Sequence, residues 1–163
     1  MGKWRAVSGL IGRLIWAGLL AGQAAAAGCS DGKLELRGPW GQAQFSVEVA
    51  DSPDERAQGL MFRDHLPRSA GMLFRYESPQ SASFWMKNTL IPLDLLFADD
   101  TGTVRHIASN AVPQDLTPIR GGPGILLVLE INGGLVKRLG ITEGSELRTN
   151  LLDQTRALWP CAP

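Results

Sequence analysis

Ile125-Leu126-Leu127-Val128-Leu129-Glu130-Ile131 is an apolar run broken by a single charge, bounded by Pro123-Gly124 before it and Asn132-Gly133-Gly134 after it. A strand with one wet face alternates apolar and polar residues, whereas a strand covered on both faces does not. The run therefore reads as the central strand of a sheet. Its one carboxylate, Glu130, needs a partner wherever the strand is buried, because an unpaired charge out of water is costly.

Working outward, Lys33 to Arg37 and Gln44 to Val49 both alternate, and Gly38-Pro39-Trp40-Gly41 between them predicts a hairpin. Ser52-Pro53-Asp54-Glu55 is a helix start: Ser52 caps, Pro53 suits the first turn and Glu55 completes a capping box, with Gly59 ending the helix early. Gly71 to Phe74 and Ser83 to Met86 read as two strands split by the turn-like Glu77-Ser78-Pro79-Gln80. Leu93 to Phe97 and Val104 to Ala108 flank the hairpin turn Asp99-Asp100-Thr101-Gly102. Residues 111–124, rich in proline and glycine, predict a long irregular loop. Asn132 is placed to cap a second short helix that ends at Gly140, and Glu146 to Arg148 gives a last strand. The tail from residue 150 is expected to wrap back towards Cys29. The fold class is α+β and β-rich, a small barrel or rolled, mostly antiparallel sheet with two short helices.

The chain start predicts export. Lys3, Arg5 and Arg13 supply positive charge, Leu10 to Leu20 is mostly apolar, and Ala24 to Gly28 offers small residues for cleavage. The expected division is a signal peptide over 1–28 and one β-rich domain over 29–163, with no cofactor called for. The apolar run is short of the roughly 20 residues needed to span a bilayer. Two cleavage patterns stay open: an ordinary cut leaving Gly28 first, or an imperfect lipoprotein box that would acylate Cys29. Loss of Lys3, Arg5 and Arg13 lowers Lys+Arg from 16 to 13 against 16 Asp+Glu, a net charge of −3. That balance argues against nucleic acid as a partner, and against a membrane unless Cys29 is lipidated or the leader retained. Periplasmic or secreted is the expected location. Cys29 and Cys161 are the only two cysteines, and an even pair in an exported domain is most simply one disulfide.

Phe84-Trp85-Met86-Lys87-Asn88-Thr89-Leu90-Ile91-Pro92-Leu93-Asp94 concentrates polar groups where a plain core strand would not. With Glu130 and Arg63 it yields the candidate ligand-binding set Arg63, Trp85, Lys87, Asn88, Thr89, Asp94 and Glu130, arranged as a groove for a small polar ligand or an envelope protein. A structural ion pair of Lys87 with Asp94 or Glu130 competes with that reading. One alternative is an envelope enzyme acting on a sugar or peptide with Asp94 and Glu130 as its carboxylates. Another is a copper(I) protein using Met61, Met72, Met86 and His106, although these methionines sit in apolar runs as core residues do. Neither Gly-x-Ser-x-Gly nor a phosphate loop ending in Gly-Lys-Ser/Thr occurs.

Three stretches together resemble the bacterial and archaeal family called domain of unknown function 192: Glu55 to Arg63 followed by Gly71 to Phe74, then Phe84 to Asp94, then Val128 to Gly134. The resemblance covers roughly residues 34–148. It implies a compact β-rich fold and frequent export, and no activity. The terminal cysteines lie outside these motifs. Mass spectrometry of the exported protein is expected to find Cys29 joined to Cys161; two free thiols, or an acyl group on Cys29, would overturn the pairing.

Overall fold

The structure, a computed structural model, describes residues 28–162. The expected signal peptide, apart from Gly28, lies outside the described residues. Seven strands and two helices follow in the order β1 (Lys33–Gly38), β2 (Gly41–Ala50), α1 (Pro53–Gln58), β3 (Ala70–Phe84), β4 (Leu93–Ala98), β5 (Val104–Ala111), β6 (Ile119–Asn132), α2 (Leu135–Leu139) and β7 (Glu146–Arg148). They form one sheet of order β5-β4-β6-β3-β2-β1-β7. Only β2 and β3 pair in parallel, joined across α1; every other neighbour is antiparallel.

The sheet curls until its two edges touch at one end. Thr103 bridges Glu146, Val104 N–H donates to the Ser145 carbonyl at 2.8 Å, and Leu147 N–H donates to that of Gly102 at 2.8 Å. The result is a half-barrel. Both faces of its centre are covered, as the unbroken apolar character of β6 requires. Leu34, Leu36, Phe45, Leu73, Leu96 and Leu129 pack inside the curl with Leu135 and Val136 of α2. Met72, Phe74, Leu95, Phe97 and Val128 face the other way, under Leu60, Leu66 and Met86 from the connecting loops.

The helix start at Ser52 forms as its residues dictate. Glu55 N–H donates to the Ser52 hydroxyl and Ser52 N–H to the Glu55 carboxylate, a closed capping box, with Gly59 at φ 51 as the C-cap. Three expectations change. The runs flanking Pro79 are one strand, β3, because register shifts between Arg75 and Gln80 place the proline where no ladder bond is demanded. The expected loop 111–124 is shorter, since β6 already begins at Ile119. Its glycines are what the strand needs: a Cβ on Gly121 would lie 2.1 Å from the Phe97 ring, and Gly122 and Gly124 take φ 83 and 74.

The third change concerns α2. Asn132 does not cap it; its amide donates to the carbonyls of Leu66 and Pro67, while the N-cap position is the left-handed Gly134, which has no side chain to offer. The cap comes from Asp94, forty residues earlier. Its carboxylate, fully buried, accepts from Gly134 N–H at 3.0 Å, Val136 N–H at 2.7 Å and Asn110 N–H at 2.6 Å. Three donors satisfy the buried charge and fix the helix entry and the end of β5 together.

Cys29 and Cys161 form a disulfide with Cα atoms 5.3 Å apart, closing the termini across 132 residues. The tail is held further by Trp159, whose ring lies 4.4 Å from the Arg37 guanidinium and 4.6 Å from that of Arg148. A disulfide of this kind belongs to an oxidising compartment, and its use of Cys29 leaves no sulfur there for a lipid. No described helix is long and apolar enough to cross a membrane. Asp94→Ala is expected to cost about 3 kcal/mol or more, because it strands buried N–H donors. Denaturant unfolding checks this, and a loss below about 1 kcal/mol would deny Asp94 its capping role.

Candidate functional site

Alternation along β4 and β6 decides where the carboxylates go. In the antiparallel register Asp94 lies opposite Ile131, and Leu95 opposite Glu130. Successive side chains point to opposite faces, so Asp94 shares the inner face with Leu96 and Ile131, while Glu130 shares the outer face with Leu95 and Val128. The two acids are separated by the sheet itself. They face no common cavity, which removes the geometry that a two-carboxylate enzyme requires.

On the outer face a half-open cleft of about 180 Å³ lies over β3 and β6. Glu130 forms its floor. Phe74, Tyr76, Phe84 and Trp85 supply aromatic wall, and Leu60, Met61 and Thr89 come from the connecting loops. Phe74 and Phe84 meet edge to face, their centroids 4.9 Å apart. Glu130 is 5 % exposed, borders the cleft, and pairs with no described side chain, burial being the one influence on its carboxyl. Burial alone pushes its carboxyl up from 4.5 to about 8. It is therefore mostly a neutral acid at pH 7.

Arg56 stands beside this floor without pairing with it. Its guanidinium donates to the Asp51 carbonyl, to the Arg75 carbonyl at 3.0 Å and to Glu77 at 3.1 Å, and it lies 5.4 Å from the Tyr76 ring centre. The loops at the mouth are tied by Phe62 N–H to the Asn88 carbonyl at 2.8 Å, Met86 N–H to Asp115 at 2.9 Å and Gln114 N–H to Thr89 at 3.2 Å. Phe62, Asn88 and Gln114 all adopt left-handed φ, of 65, 54 and 61. Such strain in non-glycine residues persists only where surrounding contacts hold it, and it clusters at functional loops. The same loops expose Phe62, Leu90, Val112 and Leu116.

Of the seven candidates, the cleft gathers Trp85, Thr89 and Glu130. Lys87 is exposed, its ammonium 5.1 Å from the Trp85 ring centre, and it pairs with neither Asp94 nor Glu130. Asn88 makes its turn through its backbone, with its amide 3.8 Å from the Met61 sulfur. Arg63 is held by both oxygens of Glu48, at 2.5 and 2.7 Å, and Asp94 is sealed behind the sheet. Met72 and Met86 are core residues, and His106 stacks on Phe97 beside Glu143. Among the described residues no group of three or more His, Cys, Asp or Glu could hold a metal ion. Sequence reasoning missed Phe74, Tyr76 and Phe84; the aromatic spacing along 74–85 carried that signal, had the segment been read as one strand.

The family described as Uncharacterized ACR, domain of unknown function 192, matches residues 36–149. A protein of unknown function from Novosphingobium aromaticivorans is similar at 45% identity and TM-score 0.69, over 71% of this chain and 82% of its own. A putative transcription regulator from Sinorhizobium meliloti is similar at 38% identity and TM-score 0.71, over 80% of this chain and all of its own. No curated protein matches.

The raised Glu130 value has a stability consequence. Between about 4.5 and 8 the folded state keeps the proton that the unfolded chain has lost, so this group makes stability fall as pH rises through that window and levels above it. Stability of wild type minus Glu130→Gln is expected to fall by up to about 1.4 kcal/mol per pH unit across it. A flat difference would mean that the carboxyl is already ionised and paired.

Proposed function

The chain belongs to a family described only as uncharacterised, and we propose that within it this protein is an exported small-ligand-binding domain, periplasmic or secreted, whose site is the cleft over Glu130. One observation carries the reading: a carboxyl 5 % exposed and without a protein partner forms the floor of an open, aromatic-walled cavity. Buried polar groups in folded proteins are almost always satisfied. A nearly buried carboxyl that no protein group pairs with, and that borders a cavity, is available to whatever enters it.

The surroundings fit recognition better than catalysis. Trp85 and Thr89 stand in a wall that joins aromatic rings to the polar side chains of Arg56, Gln58 and Ser83 around Glu130, a mix of apolar surface and orienting groups that suits a binding pocket. Asp94, the other acid a reaction would recruit, is committed to three backbone donors. The excess of acidic over basic side chains in residues 29–163 favours a small ligand over nucleic acid. The terminal disulfide supports export, since such bonds persist outside reducing cytosol.

Ser83 is exposed at the edge of the cleft, so Ser83→Phe should block the mouth without disturbing the core. Dialysis of the purified protein against envelope extract, followed by mass spectrometry of the retained small molecules, is expected to show a species held by wild type and lost from Ser83→Phe, at an unchanged melting temperature. Equal retention by both proteins removes the cleft as the site.

A further inference from the structure

We propose that the cleft is selective for organic cations, taking the ammonium head of a small amine or quaternary ammonium compound onto the Glu130 carboxylate between the aromatic walls. The inference rests on the binding reading above and adds the charge of the ligand. Three observations converge on it.

The first is the partnerless acid. No basic side chain of the neighbouring elements pairs with Glu130: Lys87 is exposed, and Arg75 of β3, whose Nε is buried without a partner, does not reach it with a hydrogen bond or ion pair. Arg56, from α1, is spent on two carbonyls and Glu77. Tyr76, from β3, keeps its proton because burial raises it, with the Glu130 charge as a smaller contribution. The residue facing Glu130 across β4 is Leu95, and across β3 it is Met72. The connecting loop brings only the Thr89 hydroxyl, which bonds the Lys87 carbonyl at 3.3 Å. A cation arriving here finds an ion-pair partner that the protein does not itself fill.

The second is the wall. Phe74, Tyr76, Phe84 and Trp85 give the cavity several aromatic rings, whose faces attract cations. Two of these rings already do so: Arg56 sits 5.4 Å from the Tyr76 centre and Lys87 5.1 Å from that of Trp85. The third is exclusion. An anion would meet the electron-rich ring faces and an acid together, while Arg56, the guanidinium that lines the cleft, already donates to two carbonyls and to Glu77. Quaternary and primary ammonium ligands are thus the class that uses both features of the site.

Proton balance follows directly. A cation binds to the carboxylate, so near neutral pH the proton held by Glu130 passes to solvent as the ammonium–carboxylate pair forms. The burial that holds Glu130 neutral then turns affinity into a function of pH.

The test is calorimetric titration of the whole exported protein with benzyltrimethylammonium, whose charge is fixed, alongside benzylammonium, benzyl alcohol and benzoate. The cations are expected to bind while the alcohol and benzoate do not. Affinity for benzyltrimethylammonium should rise about tenfold per pH unit from about pH 6 to 8 and level above. At pH 7, repeating the titration in buffers of different ionisation enthalpy should show close to one proton released per ligand. Glu130→Gln, which keeps the shape and cannot ionise, should weaken binding at least tenfold and abolish the pH slope; Trp85→Ala, on an exposed ring, should weaken it severalfold with the fold intact. Binding of benzoate or benzyl alcohol that survives in Glu130→Gln overturns the cation assignment and leaves the cleft as a site. Absence of binding by every probe overturns it as well, while Ser83→Phe still reports separately on the cleft. Cation binding indifferent to Ser83→Phe overturns both.

Discussion

Asp94 is the contact on which the interior depends. A carboxylate with no access to water is tolerated only when its charge is answered, and here three backbone N–H groups answer it. Those donors belong to segments far apart in the chain: Asn110 at the end of β5, and Gly134 and Val136 at the entry to α2. Gly133 has to be glycine at this junction, since a Cβ would fall 2.9 Å from Pro92 and 2.8 Å from the Asn110 side chain. The short helix that fills the inside of the curl is thereby anchored to β4 rather than to its own flanking residues. The polar stretch Phe84 to Asp94 and the end of the central strand, Val128 to Gly134, meet at this point.

The same sheet gives two neighbouring acids opposite fates. Asp94 and Glu130 stand on adjacent strands, one register step apart, and the pleat sends them to different faces. One is surrounded by donors and serves as structure. The other pairs with no described side chain, borders a cavity, and is held in its neutral form by burial. A buried acid without a partner weakens the folded state above its unfolded pKa, and sites that bind or react are where proteins tolerate such groups. The left-handed turns at Phe62, Asn88 and Gln114 add a second departure from the lowest-energy backbone around the same mouth.

Much of the fold was legible because its determinants are local. The capping box at Ser52 involves residues three apart, and the hairpins at Gly38 and Asp99 are closed by their own turns. The central strand announces itself by composition. Pro79 misled because a proline breaks a regular ladder, whereas β3 passes it through a stretch without paired residues. The glycines of 121–124 suggested a loop for the same reason that they suit a strand under the Phe97 ring: absence of a side chain permits both. Of the seven candidates, Trp85, Thr89 and Glu130, grouped for their unusual setting, line one cleft. Arg63 and Asp94 were grouped with them on chemistry alone, and chemistry does not say which way a side chain points.

The sequence by itself determined the β-rich class, the first hairpin, the first helix and the presence of an acid within the most buried strand. These follow from short-range sterics, turn chemistry and hydrophobic period, which act over a few residues. Only the tertiary structure decided that Asp94 would cap α2 from another strand and that Glu130 would be left facing open space between aromatic rings. Both outcomes depend on strand register, and a shift of one residue would exchange the faces of the two acids.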